Sequence, residues 1–591
     1  MGMPRKTMSK KPIASSPFCV SPACNALDRQ PRYKTTRSTM NKTREELVAD
    51  LRRRVADHIL EPTNAALLER LIMQAVDDNE AVMIASLGTT YKRTGLHFDK
   101  RLERPTTDIH YFRRNEALSF GNDGNPHRLV IGDNLHALQN LLIQYRGQVD
   151  VIYIDPPYGK DSMEEFAETN YENDITRDNL LSMLHPRLML ARQLLSDNGV
   201  IFCSIDDRNQ AYVKCLFDDV FGERNFVGTI IWQSATDNNP RQITTEHEYV
   251  ICYAKDAGYL DKWQVTSKKA VLIERKYEEL KKRYVKVSEI QSALRSWIKE
   301  NEAELSGVTH YNNVDDKGVY SNSSNSSNTK PGGYTFDIIH PVTQKPCTKP
   351  AFGWRWKEDT FLEYAAQGDV EWGKDETTQP HIKKRIDTVT EQLKSIYYED
   401  GRAATKLLES IFGNKKTFDN PKPVALISRL IEFATSKEAL VLDFFAGSGT
   451  TGQAVLELNR KDGGNRRFIL CQLNEVTDTT PNGIAHDVTA KRLKRVMTGE
   501  CYDGTRDFPW AQKNQPYGGS LEVVDIATVA DFNAMPGQSA FDVIDETLYG
   551  QPPLVSMEQK VEWVCRNFSS TQTTLENDQE WKARRMEADN R

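Results

Sequence analysis

Much of what assigns a chain to a functional class at first sight is missing here. No run approaches the roughly eighteen apolar residues that a membrane-spanning helix needs, so the chain reads as having no membrane partner. Its nine cysteines are odd in number and scattered without a CxxC pair, which argues for a reducing cytosol and against disulfides or a structural zinc site. A net charge of −6 gives no general affinity for nucleic acid, so any positive field for DNA must be local. There is no P-loop GKT or GKS, and no internal repeat. What remains is a 591-residue chain, 27% charged and 39% hydrophobic, long enough for several domains with cores that need no staples.

One stretch stands out, Gln148 to Tyr158, reading QVDVIYIDPPY. Val151, Ile152, Tyr153 and Ile154 form an apolar, β-prone run that ends in a carboxylate, two prolines and an aromatic. Proline has a fixed φ and no N–H, so Pro156 and Pro157 forbid strand or helix beyond Asp155. The expectation is a stiff corner at the carboxyl end of a buried strand, where open α/β sheets hold their ligands.

The rest of the chain is organised around that corner. Residues 1–42 are basic and lack apolar periodicity, which predicts a disordered tail; a DNA-contacting arm, a transit peptide and an upstream translation start all fit it, with Met40 just before the first helix. Residues 43–105 read as a helical region: Leu47, Leu51, Val55 and Ile59 recur until Pro62, then Leu67, Leu68, Leu71, Ile72 and Ala75 share a face. It suits a helical layer on the catalytic domain or a dimerisation arm. Over 106–233, RLVIGD (128–133), the DPPY strand, a polar mobile loop (159–179), a leucine-rich helix (180–195), the strand VIFCSID and a helix (209–221) alternate. The strands FVGTIIW (226–232) and EYVICYA (248–254) follow, and the pattern means a mainly parallel sheet with helices on both faces.

From about 234 to 417 the alternation stops. A charged helical stretch (268–305) and a Ser/Asn-rich linker (321–328) precede KPAFGWRWKEDTF, in which Trp354, Arg355, Trp356 and Lys357 interleave aromatic and basic groups suited to stacking on bases and pairing with phosphates. The block reads as an inserted nucleic-acid-recognition domain. The α/β pattern resumes over 418–500, and 501–591 has mixed short elements with a polar end.

A second motif lies at 447–452, where Gly447, Gly449 and Gly452 spell GxGxxG between a strand and a helix and Glu475 ends the next strand. The spacing fits dinucleotide binding: a tight turn, close backbone approach and an acid for ribose hydroxyls. It also fits S-adenosyl-L-methionine, which Asp443 for a cationic end and Phe445 beside a nucleoside favour. NAD and S-adenosylmethionine both stay open on this motif alone.

Together, DPPY (155–158) and DFFAGSGT (443–450), in that order around an insertion, resemble the β class of DNA amino-methyltransferases. GDNLHAL (132–138), IFCSIDD (201–207), HEYVICYAK (247–255) and FDNPKP (418–423) are similar to that family's intervening blocks, and with GQSAFDVIDETLYG (537–550) the chain resembles the modification subunits of type III restriction systems. The family often continues DPPY with Asn-Thr-Gly, and this chain has Gly159-Lys160-Asp161. The resemblance implies a Rossmann-like S-adenosylmethionine-dependent methyltransferase sheet with an inserted target-recognition domain. The implied reaction is methylation of the N6 amine of an adenine flipped out of double-stranded DNA. Asp155, Pro156, Pro157 and Tyr158 would be catalytic. Glu475 would hold the ribose and Asp443, Gly447, Gly449 and Thr450 the methionine end, with Asp133 at the cofactor's adenine and Lys422 lining the same pocket. A homodimer, a separate ATP-driven restriction subunit and a cytoplasmic, nucleoid-associated location are also implied; with no P-loop or nuclease motif, cleavage would belong to that partner. Cytosine-N4 methylation and a catalytically silent DNA-binding subunit are the alternatives. Cytosine-C5 chemistry needs a nucleophilic thiolate, and Cys347, the one cysteine after a proline, reads as structural.

Overall fold

The computed structural model describes residues 43–56, 62–87, 108–122, 124–158, 177–234, 242–322, 326–413, 417–530, 532 and 537–573. The basic tail, Ile59, the residues after DPPY (159–176), three positions of the Ser/Asn linker and the polar carboxyl end lie outside them. The chain divides into two compact units, 1–97 and 98–591.

The first unit contains α1 (Arg44–Ala56), α2 (Pro62–Gln74) and α3 (Asp78–Leu87). Pro62 opens α2, because proline's missing N–H costs nothing at a first helical position. Leu47, Leu51, Ala65, Ile72, Ala75, Ala81 and Ala85 close a core within the unit. Of the residues expected on one face of the second helix, Ile72 and Ala75 join this core, while Leu67 and Leu71 are exposed.

The second unit is built on a ten-stranded sheet. In chain order its strands are β1 (Ile109–Arg114), β2 (His127–Ile131), β3 (Val149–Ile154), β4 (Leu195–Ile205), β5 (Phe226–Gln233), β6 (His247–Ala254), β7 (Ile396–Tyr398), β8 (Leu440–Asp443), β9 (Arg467–Gln472) and β10 (Leu521–Val529). The spatial order is β1-β10-β2-β9-β8-β3-β4-β6-β5-β7. The six strands from β10 to β4 are all parallel, while β1 and β6 run antiparallel to their neighbours. Parallel strands covered on both faces are apolar throughout, and β3 is the example: Val151, Ile152, Tyr153 and Ile154 are all buried.

Helices α4 (Asn134–Tyr145), α5 (Arg177–Leu194) and α6 (Gln210–Phe221) pack in succession. After the insertion, whose helices are α7 (Lys268–Arg283), α8 (Val287–Glu300) and α9 (Glu358–Ala366), come α10 (Arg402–Phe412), α11 (Val424–Ala434) and α12 (Thr450–Asp462), with α11 packed on α12. From β3 the chain crosses through α5 to β4 on one side; from β8 it crosses through α12 to β9 on the other. β3 and β8 are themselves paired, Val151 with Val441 and Ile152 with Leu442. The strand order therefore reverses between them, and a crevice opens at their carboxyl ends.

Two boundaries move. The insertion's own cores draw on residues between Ala270 and Ile386, whereas β6 and β7, inside the expected 234–417 block, belong to the central sheet. The carboxyl-terminal region is more than a mixed addition, because β10 sits between β1 and β2. Neither β1 nor β10 was anticipated; their six and nine residues mix apolar and charged side chains without a clean alternation.

Candidate active site

Asp155 leaves β3 into the crevice, and Asp443 ends β8 beside it. The diprolyl corner fixes where Asp155 and Tyr158 point. Tyr158 Oη lies 2.9 Å from Asp155 Oδ1 and 3.1 Å from Glu248 Oε2, so its single hydrogen has two carboxylate acceptors. Lys422 Nζ completes the group, 3.0 Å from Asp155 Oδ2, 3.1 Å from Glu248 Oε2 and 3.0 Å from Tyr158 Oη. The four side chains come from the β3 corner, the start of β6 and the segment entering α11.

The electrostatics follow from burial. The lysine side chain is 9% exposed, against 25% for Asp155 and 28% for Glu248, so the carboxylates face the opening and the cation lies behind them. Burial pushes the Asp155 carboxyl up from its usual range, with Lys422 holding it back. Burial alone would lower Lys422, but Asp155 and Glu248 outweigh it and its ammonium is held charged. Burial, followed by Asp155 and Glu248, pushes the Tyr158 phenol well up, so it stays a neutral donor.

Lys422, expected to line the cofactor's pocket, is bonded to three groups of the DPPY corner. Glu248 was not singled out, although HEYVICYAK contains it; the signal was a carboxylate one residue into a strand that is otherwise apolar.

The glycine loop follows β8. Gly447 and Gly449 have φ of +52° and +78°, in the left-handed region that favours glycine. A Cβ on Gly447 would come within 3.1 Å of Phe418 Cζ, and one on Gly449 within 3.3 Å of Thr489 Cγ2, so both turns are tightly lined. The Gly447 N–H donates to Gln472 Oε1 at 2.7 Å. Thr450 starts α12, and Phe445 is 8% exposed. Asp443 is only 2% exposed and turned inward: it accepts from the Phe445 N–H at 2.9 Å and the Thr451 hydroxyl at 2.5 Å. Burial pushes its carboxyl up to about 7. Its visible work is to brace the loop. Beneath the loop Arg492, 1% exposed, donates to Ser448 Oγ at 2.9 Å, Thr450 Oγ1 at 2.8 Å and Gln453 Oε1 at 2.9 Å; no carboxylate pairs with it among the described residues. Burial pulls it down to about 9.

Glu475, half-buried, follows β9, and its carbonyl accepts from the Ile484 N–H. Asp133 caps α4, accepting from the Leu135 N–H at 2.8 Å, and pairs with Arg187 at 3.2 Å.

Trp354 does not stand on a surface. It is fully buried in the small core with Ile338, Cys347 and Phe361, and its indole N–H donates to the Phe336 carbonyl at 2.9 Å. A side chain so enclosed has no free face for a base, which corrects its assignment. Arg355 and Lys357 are exposed and Trp356 is half-buried, while Tyr334 and Phe352 nearby are 44% and 47% exposed. Cys347 is buried, and burial pushes its thiol up, away from thiolate chemistry.

The DNA methylase family model matches residues 149–478, more than half of the chain. A second model, described as an uncharacterised conserved protein, matches 41–151. The Mod subunit of the Escherichia coli type III restriction-modification enzyme EcoP15I is 35% identical over 410 residues, covering 63% of this chain and 63% of the relative. The StyLTI Mod subunit of Salmonella typhimurium is 30% identical over 470 residues, 72% of this chain and 67% of the relative. The type II methyltransferase M.KpnI of Klebsiella pneumoniae is 30% identical over 393 residues, 63% and 88%. The chain thus spans just under two thirds of the length of the first of these relatives.

Proposed function

Because this chain belongs to the DNA methylase family, we propose that it transfers the methyl group of S-adenosylmethionine to the N6 amine of an adenine in double-stranded DNA. The observation that carries the reading is the pairing of β3 with β8, which sets the DPPY carboxylate and the glycine loop at adjoining strand ends. We read the protein as the modification subunit of a type III-like system: a homodimer in the cytoplasm, working with a separate subunit that supplies ATPase and nuclease.

The loop's residues fit the cofactor. Two left-handed glycines make the tight turn, Glu475 follows the adjacent strand to take ribose hydroxyls, and the buried cation Arg492, bonded to Ser448 and Thr450, favours a carboxylate at the loop. When bound, the cofactor supplies an electrophilic methyl on a sulfonium.

The exocyclic amine is a poor nucleophile because its lone pair is delocalised into the ring. Asp155 and the Pro156 carbonyl accept its two N–H groups, pulling the nitrogen toward tetrahedral geometry and aiming the lone pair. Each carboxylate oxygen accepts twice, so Asp155 can do this while still holding Tyr158 and Lys422. Alignment and preorganised polar groups supply most of what direct transfer needs. Tyr158 offers a ring face to the base, which must leave the duplex at a cost of a few kcal/mol.

The test is to incubate the protein with duplex DNA and methyl-labelled S-adenosylmethionine, digest to nucleosides and identify the labelled one. Label in N6-methyladenine is the expected result. Label in N4-methylcytosine overturns the base, and no label with any partner supplied overturns the reading.

A further inference from the structure

We propose that Glu248 is the proton outlet of the DPPY site, reached from Asp155 through the hydroxyl of Tyr158. The inference rests on the methyltransferase reading and goes beyond it, to where the amine's surplus proton goes.

Two distances define the path. Tyr158 Oη sits between Asp155 Oδ1 at 2.9 Å and Glu248 Oε2 at 3.1 Å, and the Lys422 ammonium bonds all three groups from behind. A second carboxylate in a partly buried pocket costs free energy by repelling the first. Lys422 offsets that cost, but a lone Asp155–Lys422 pair would hold the amine with less strain. Glu248 has something further to do. The charged and titratable groups facing it are Lys422, Tyr158, Asp155 and, deeper, Tyr153.

Methyl transfer leaves the amine nitrogen with one proton more than the neutral product holds. That N–H bond breaks with its electron pair kept on nitrogen, and Asp155 Oδ1 takes the proton. Asp155 passes it to Tyr158 Oη as the Tyr158 hydroxyl proton moves to Glu248 Oε2. Asp155 ends as a carboxylate, Tyr158 as a phenol and Glu248 as a carboxylic acid. Glu248, 28% exposed, then ionises into water, and Lys422 stays charged throughout. Without the outlet, the proton remains on Asp155 beneath the methylated base.

The test is single-turnover transfer from methyl-labelled S-adenosylmethionine to plasmid DNA from a methylation-deficient host, over a range of pH. Equilibrium binding of the same DNA and of S-adenosylmethionine is measured in parallel. Glu248→Gln keeps the side chain's shape and its acceptor for Lys422 but takes no proton. It is expected to slow transfer about 10²-fold and to flatten the acid limb of the pH–rate profile, with both affinities within about threefold of wild type. Tyr158→Phe is expected to do the same, and the double variant to be no slower than the worse single variant, because one path is cut only once. Formate is expected to restore part of the rate to Glu248→Ala. Wild-type rate and pH profile in Glu248→Gln, multiplying losses in the double variant, or loss of DNA and cofactor binding together would each overturn the proposal. No label from wild type overturns the methyltransferase reading itself, and the outlet with it.

Discussion

Asp155 is held by a phenol on one oxygen and an ammonium on the other, at 2.9 and 3.0 Å. Asp155→Ala should lower the single-turnover rate by about 10³-fold or more while DNA and cofactor still bind, because the lost group orients the amine rather than either ligand. Filter binding beside the labelling assay checks it; parallel loss of cofactor binding would mean that Asp155 holds the cofactor. Asp443 makes a different prediction. Its folded-state pKa, about 7, lies above its ordinary 3.8, so between those values the folded chain keeps a proton that the unfolded chain has lost. Stability from this group is full below the lower value and is lost as pH rises through the upper. The unfolding free energy of wild type, measured by urea denaturation, should therefore fall relative to Asp443→Asn from pH 4 to 7, by something on the order of a few kcal/mol, and run parallel above it. At this scale the sequence was readable where chemistry is local. DPPY and the glycine loop each lie within one short segment, whereas the Glu248–Lys422 contact joins residues that only the sheet brings together. Trp354 was misread for the same reason: an aromatic among basic residues looks alike whether its ring points in or out.

Among elements, the insertion is the one that residue types describe least well. Its smaller core holds Trp354 with Cys347, Phe361, Val370 and Ile382, while Tyr334, bridged to Trp354 along the backbone, and Phe352 stand exposed. Trp354→Ala should therefore destabilise this part by about 3–5 kcal/mol. Limited proteolysis should reveal it as faster cleavage within 326–382. Phe352→Ala should leave proteolysis unchanged and weaken DNA binding by about 1–3 kcal/mol, the usual worth of a base stacked on an aromatic. The reverse pattern would return Trp354 to the surface role its neighbours suggested. Helices α7 and α8 were anticipated as one charged helical stretch, and Ile273, Tyr277, Leu280, Ile290 and Leu294 are among the buried residues within them. β1 and β10 were not, because strand pairing across the length of a chain leaves no periodic mark on either partner.

For the whole molecule, β10 completes the sheet by pairing with β1 on one side and β2 on the other. A chain ending at residue 515 should consequently give no cooperative thermal transition. A chain starting at residue 108 should keep that of the intact second unit, since the helices of the first unit close a core of their own. Calorimetry on both distinguishes the cases, and a truncated chain that melts normally would make β10 dispensable. The same wiring sets a schedule for synthesis. The join of β3 to β8 links residues 290 positions apart, and that of β1 to β10 residues 410 apart. At about 5–20 residues per second, β3 leaves the ribosome roughly 15–60 s before the strand that covers its second edge exists. An apolar strand waiting that long invites wrong partners, so yield should depend on chaperone supply and on growth temperature more than final stability would suggest. Until β8 arrives, the two halves of the site do not adjoin, and a ribosome that stops early releases a chain with only one of them.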